Sequence, residues 1–329
     1  MKNTFAQLLK TEAYILADGA VGTNMMSLGL TQGDPPEAWN ILHPDRVLKV
    51  HRDFIEAGSR VILTNSFGGT RFRLKLHNLQ GRVRELNLAA ARLARQAADA
   101  APRTVAVGGS IGPSGEILEP LGELPFKQAR DGFAEQAAAL VEGGVDVLWI
   151  ETMSDLKEVQ AAAEGARLSG DTPLVITMTF DTNGYTMMGV SPVQALEAIQ
   201  AYDPLAIGGN CGNGPGEIEG VIRAMKTVGL DVPLVAKSNA GIPVLVDGHP
   251  HYNASPQDMA AHAVSVRDMG ATIIGGCCGN TAEHVRAMAQ ALATSPINLA
   301  AVQDFNGRKP AKGKRVRKHS RRRTVRRTG

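Results

Sequence analysis

Eight short apolar runs recur along this chain. Each passes through a glycine-, proline- or polar-rich junction into a segment with helical spacing. In order they are AYILADGA (13–20), VILTNSF (61–67), TVAVGGSIG (104–112), VDVLWIET (145–152), PLVITMTF (173–180), PLAIGGNC (204–211), PLVAKSNAG (233–241) and TIIGGCCG (272–279). Helical periodicity is clearest at 83–100, 126–144, 154–170 and 255–270, several of them opening on Ser or Asp and closing on Gly. Near-continuous apolar strands alternating with amphipathic helices predict a parallel sheet. Eight such units in about 290 residues predict an α/β chain folded as a (β/α)8 TIM barrel. The rival doubly wound sheet normally carries a G-x-G-x-x-G turn after its first strand, and DGAVGTN lacks that spacing. The insertion at 21–46 and the PSGEILEPLGELP loop after the third strand are expected over the barrel mouth.

Composition sharpens this picture without changing it. Of 329 residues, 43% are hydrophobic, ample for one large core. No apolar stretch approaches the ~20 residues that cross a bilayer. The start, MKNTFAQLLKTEAYILADGA, lacks a secretory pattern, and three cysteines make a poor disulfide framework. A soluble, cytoplasmic protein is expected. Charge is uneven: twelve of the 35 Lys and Arg fall between Arg308 and Gly329, leaving 23 against 32 acids, a body charge of about −9. The expected organisation is one barrel domain over 1–305 and a disordered basic tail over 306–329. Such a tail attracts phosphates without reading sequence, so a nucleic-acid-binding protein with a silent barrel is the reading from another class.

The chemistry concentrates at strand ends, where barrels of this kind build their sites. Cys211 ends the sixth run and Cys277 with Cys278 ends the eighth, so all three thiols would rim one mouth. Three sulfur ligands with a fourth position free is the layout of a catalytic zinc ion. Against it stand a lone cysteine's ordinary role as a small hydrophobe and a redox dithiol, although the latter usually takes the form C-x-x-C. Asp18, Asn65, Glu151, Ser238 and Asn239 fall at equivalent strand ends. A thiolate-rich zinc site keeps a bound substrate thiolate electron-rich, which suits alkyl transfer to sulfur better than hydrolysis.

In this order, DGAVGT (18–23), TNSFGG (64–69), GGSIGP (108–113), ET (151–152), GGNCG (208–212), KSNAG (237–241) and GGCCG (275–279) resemble the homocysteine S-methyltransferases. That family includes betaine–homocysteine methyltransferase and the homocysteine-binding module of cobalamin-dependent methionine synthase. The resemblance spans residues 10–295 and implies a zinc-bearing barrel that methylates homocysteine to methionine. It further implies that Cys211, Cys277 and Cys278 hold Zn2+, and that Asp18, Gly19 and Ala20 contact the substrate. Glu151, the candidate catalytic residue, and Ser238 with Asn239 would hold its amino and carboxylate ends. The expected partners are homocysteine and a small methyl donor, and the sequence is compatible with a homo-oligomer. A betaine-like onium donor stands slightly ahead, since no corrinoid module follows the barrel; the alternative is a methylated corrinoid on a separate protein. An onium cation would want aromatic faces, and Trp39, Phe67, Phe180 and Tyr185 are the candidates, with Trp149 reading as core.

Overall fold

The inner wall consists of eight parallel strands: β1 (Ile15–Leu16), β2 (Val61–Leu63), β3 (Ala106–Ile111), β4 (Val147–Met153), β5 (Leu174–Met178), β6 (Ala206–Cys211), β7 (Leu234–Ser238) and, after a short hairpin of β8 (Val244–Val246) and β9 (His249–His251), β10 (Ala271–Gly276). Their order is β1-β10-β7-β6-β5-β4-β3-β2. A parallel bridge between Ala17 and Val61 brings the two ends of this sheet together. Helices cover the outside, so the fold is the (β/α)8 TIM barrel expected from the alternation. This computed structural model describes residues 3–296 apart from 247–248. The basic segment assigned to 306–329 lies outside the described residues. Among the described residues no helix is long and apolar enough to cross a membrane.

The strands are buried on both faces, which is why they read as continuous apolar runs. Leu148, Ile150, Ile176 and Ile207 join the layer between sheet and helices. Their alternates Val61, Ala106, Val147, Trp149, Val175, Val235 and Ile273 fill the barrel interior. A first helix, α1 (Thr4–Thr11), closes that interior from outside the sheet. It is capped by Asn3, whose side chain accepts from the Ala6 N–H at 2.9 Å. Phe5 and Leu8, three residues apart on one face, belong to the same interior cluster. The Phe5 ring meets Trp149 edge-on, with centroids 6.1 Å apart. Trp149 is therefore core, as its sequence position suggested.

Predicted helices at 83–100, 126–144, 154–170 and 255–270 correspond to Val83–Asp99, Phe126–Glu142, Leu156–Leu168 and Pro256–Asp268. The first strand is much shorter than 13–20, because beyond Leu16 the chain turns to serve the mouth. The Asp18 carbonyl accepts from the Gly276 N–H at 3.0 Å, and the Ala20 N–H donates to the Asn280 carbonyl at 3.2 Å. Of the two expected covers, the 21–46 insertion does reach the mouth, through Val21, Met26 and Glu37 among others. The loop after β3 contributes no lining residue there. Its Leu118 and Leu124 are buried in the outer layer instead.

Candidate metal centre and substrate cavity

Inward positions alternate along each strand, and toward the C-terminal ends they change from apolar to polar. Val147 and Trp149 lead to Glu151 on β4; Ala106 and Gly108 lead to Ser110 on β3; Val235 leads to Lys237 on β7; Ala206 and Gly208 lead to Asn210 on β6. Simple period-2 geometry therefore carries a polar floor to the top of the barrel. There it meets a cavity of about 330 Å³ lined by Gly19, Ala20, Glu151, Lys237 and all three cysteines, together with Thr64, Asn65, Phe67 and Glu37.

Strand alternation alone would turn Cys211 outward, one residue past Asn210. Its φ of 66° breaks the alternation and returns the side chain to the mouth. Thr152, one residue past Glu151, has φ 61°, a costly conformation for a β-branched residue. The β4–β5 register shifts at this place. Both departures flank Asn210, which is fully buried. Its Oδ1 accepts from the Thr152 N–H at 2.8 Å and the Thr177 hydroxyl at 2.7 Å. Its Nδ2 donates to Thr152 Oγ1 at 2.7 Å and lies 3.8 Å from Cys277 Sγ. One amide thus holds the strained Thr152 beside Glu151 and touches a thiol of the cysteine cluster.

The three Sγ atoms lie within 4.8 Å of one another, and all three cysteines are free. Tetrahedral zinc with Zn–S bonds of ~2.3 Å would space its sulfurs by ~3.8 Å, so this donor set fits such an ion. All three border the cavity, so an ion held by them would be within reach of a molecule bound there. The Gly279 turn after the pair has φ 80°, and a Cβ there would lie 2.2 Å from the Tyr252 ring, so GGCCG needs its last glycine. A Cys277 hydrogen bond favours the Cys211 thiolate, but the Cys278 bond and burial outweigh it and push this thiol up to about 12. Cys278 is likewise pushed up to about 12: a hydrogen bond from Cys211 pulls it down, and Cys277 and burial override that. Protein groups alone therefore keep the cluster protonated at neutral pH.

Next to it lie three buried ionisable groups. Lys237 Nζ is 2.5 Å from Asp18 Oδ1, and the Leu63 N–H donates to Asp18 Oδ2 at 2.7 Å. Ser110 donates to Glu151 Oε1 at 2.5 Å. Burial would lower Lys237, but Asp18 and Glu151 hold it above the ordinary lysine range. Burial pushes Glu151 up, with Lys237 and Ser110 pulling against it.

Of the residues assigned to substrate from sequence, Gly19, Ala20 and Glu151 line the cavity. Asp18, Ser238 and Asn239 stand behind it. The Ser238 hydroxyl donates to the Asn239 carbonyl at 2.9 Å. The Asn239 amide donates to the Gly212 carbonyl at 2.6 Å and accepts from the Cys278 N–H at 2.9 Å, bracing the cysteine loops. Among the aromatic candidates only Phe67 lines the cavity. Trp39 and Phe180 are buried in the outer layer, and Tyr185 lies exposed elsewhere. Lys237 and Asn210 do not stand out in the sequence; the inward register of β7 and β6 is the signal that marks both.

Comparison with known proteins bears on the family and the fold. A family profile described as homocysteine S-methyltransferase matches residues 15–292. The methionine synthase of Mycobacterium tuberculosis (strain ATCC 25618 / H37Rv) is 32% identical over 298 residues, which are 86% of this chain and 25% of that protein. That of Mycobacterium leprae (strain TN) is 32% identical over 303 residues, 87% of this chain and 25% of its own length. The chain thus spans about a quarter of these relatives. Among solved structures, the metallated form of the homocysteine methyltransferase MmuM from Escherichia coli superposes with a TM-score of 0.74 at 22% identity, covering 88% of this chain and 99% of that one. At that identity the superposition speaks to fold alone.

Proposed function

Because the chain belongs to the homocysteine S-methyltransferase family, we propose that it transfers a methyl group to the thiol of homocysteine, forming methionine, with zinc held by Cys211, Cys277 and Cys278. The observation that carries this reading is the meeting of all three cysteines with Glu151 and Lys237 in one cavity. A zinc ion there supplies the Lewis acidity that keeps a substrate thiol deprotonated at neutral pH. The chain's own groups do the rest. Glu151 pairs with the substrate's ammonium, and Gly19 and Ala20 form part of the wall beside it. Asn210 and Asn239 fix the loops that carry the thiols. Orientation of acceptor and donor contributes much of the rate. The sulfur lone pair forms the new S–CH3 bond as the donor's bond to methyl breaks, and that bond's electron pair leaves with the donor.

For the donor, the cavity favours a reading other than betaine. A quaternary ammonium is recognised by several aromatic faces, and among the described residues Phe67 is the one Phe, Tyr or Trp ring that lines this space. That supports a donor brought by another domain or protein, a methylated corrinoid, in keeping with the relatives named methionine synthase. Zinc-loaded protein given homocysteine with betaine, S-methylmethionine, a dimethylsulfonium compound or methylcobalamin should form methionine with methylcobalamin above the onium donors. Cys277→Ala and Cys211→Ser should each lose zinc, read by elemental analysis, and methyl transfer, with the circular dichroism of a folded barrel. Full activity of either variant after dialysis against chelator would refute the metal assignment.

A further inference from the structure

The cavity end next to the cysteines sets one ammonium, Lys237, between two carboxylates, Asp18 and Glu151, and 5.8 Å from the centre of the Trp149 ring. Both Asp18 oxygens are taken, one by Lys237 and the other by the Leu63 N–H. Glu151 has one oxygen on Ser110 and lines the cavity. Lys237 also lines it, with a side chain only 2% exposed. Among the described residues its Nζ makes a single hydrogen bond, to Asp18, although an ammonium carries three donors. A buried ammonium left with spare donors is costly unless a ligand completes it. Ser238 and Asn239 offer the cavity little, since their side chains are bonded within the protein. The other basic residues lining the cavity, Arg73 and His77, are neighbours of Glu37, whereas Lys237 is the neighbour of Glu151 and Cys277.

We propose that Lys237 is the residue that selects the acceptor's carboxylate. Its free N–H donors receive the α-carboxylate of an amino-acid thiol, and Glu151 beside it receives the ammonium. The pair then presents one positive and one negative group to the two ends of a zwitterion, next to the sulfur site. Asp18 acts from behind as the fixed counter-ion that positions the Lys237 ammonium. The inference rests on reading the cavity as an amino-acid thiol site, and it makes the carboxylate a requirement for tight binding.

The test compares binding of L-methionine and of 3-(methylthio)propylamine, which lacks only the carboxylate, by calorimetry on the full chain. Neither probe needs a thiol, so the readout is separate from turnover. Wild-type protein should prefer methionine by roughly tenfold to a hundredfold, the usual range for a charge-assisted hydrogen bond. Lys237→Met should remove that preference while leaving the amine's affinity within about twofold, and Lys237→Arg should restore part of it. Because Lys237→Met strands Asp18 as a buried charge, the double variant Asp18→Asn with Lys237→Met, whose buried pair is neutral, provides a second, foldable background. A preference for methionine that survives in either background overturns the proposal, as does wild-type protein that binds both probes equally or neither. Protein that shows the preference but forms no methionine from homocysteine upholds the role of Lys237 and refutes methyl transfer.

Discussion

Asn210 carries several obligations at once, and removing its amide leaves several groups without partners. Thr152 would lose the acceptor of its N–H and the donor to its hydroxyl, and Thr177 would lose an acceptor, all in a buried setting. Asn210→Ala should therefore destabilise the fold by about 2–4 kcal/mol in urea unfolding. Without the clamp, Thr152 should relax from φ 61°, carrying Glu151 with it. Zinc affinity should fall roughly tenfold in competition with a chelator, since partners behind metal ligands commonly matter that much. Unchanged zinc affinity would show that the contact with Cys277 is incidental. The cysteines themselves were legible in the sequence, because core packing gives no reason to set three thiols at two strand ends. Glu151 was legible for the same positional reason. Asn210 and Lys237 were not singled out, although the inward register of β6 and β7 marks both, because the partners that give them a role lie 33 to 219 residues away. Asp18, Ser238 and Asn239 were legible as site residues, but whether a side chain faces a cavity or braces its wall depends on the turn beyond the strand end.

Among the helices, Pro44–Ala57 is a clear case of burial dominating chemistry. Its His51 is fully buried, and among the described residues neither ring nitrogen has a hydrogen-bond partner. Burial lowers its pKa from 6.5 to about 4. Between those values the unfolded chain binds the proton and the folded chain does not, so stability falls as pH drops through that window. The loss levels off below about pH 4, with a total of roughly 3 kcal/mol. His51→Leu should flatten that part of the stability–pH curve, measured as urea midpoints from pH 7 to pH 4. If wild type and variant show the same slope, burial of a neutral His51 is not what acid opposes. The four helices read from apolar spacing have ends within a few residues of those expected, whereas Pro44–Ala57 was not among them. The helix α1 is harder to see because its burial is tertiary: Phe5 needs the Trp149 ring, which sits 144 positions later, to be worth burying.

Over the whole molecule, the barrel separates what stabilises from what reacts. One end is closed by α1 and an apolar interior, and the other carries the cavity that the three cysteines border, lined from Gly19 to Cys278. The family match itself ends at residue 292. Nothing in this arrangement assigns a catalytic task to the twelve basic residues between Arg308 and Gly329, which lie outside the described residues. Deleting 307–329 should therefore leave methionine formation, zinc content and melting temperature unchanged. The same deletion turns a net charge of +3 into about −9. Weak binding to a random-sequence DNA duplex at low salt should then disappear, read by fluorescence anisotropy, and in the full chain it should fade steeply as salt rises. If turnover fell with the tail, the barrel would not be the complete catalytic unit. If duplex binding survived the deletion, the attraction would have to come from an acidic body, which electrostatics forbids without a specific site.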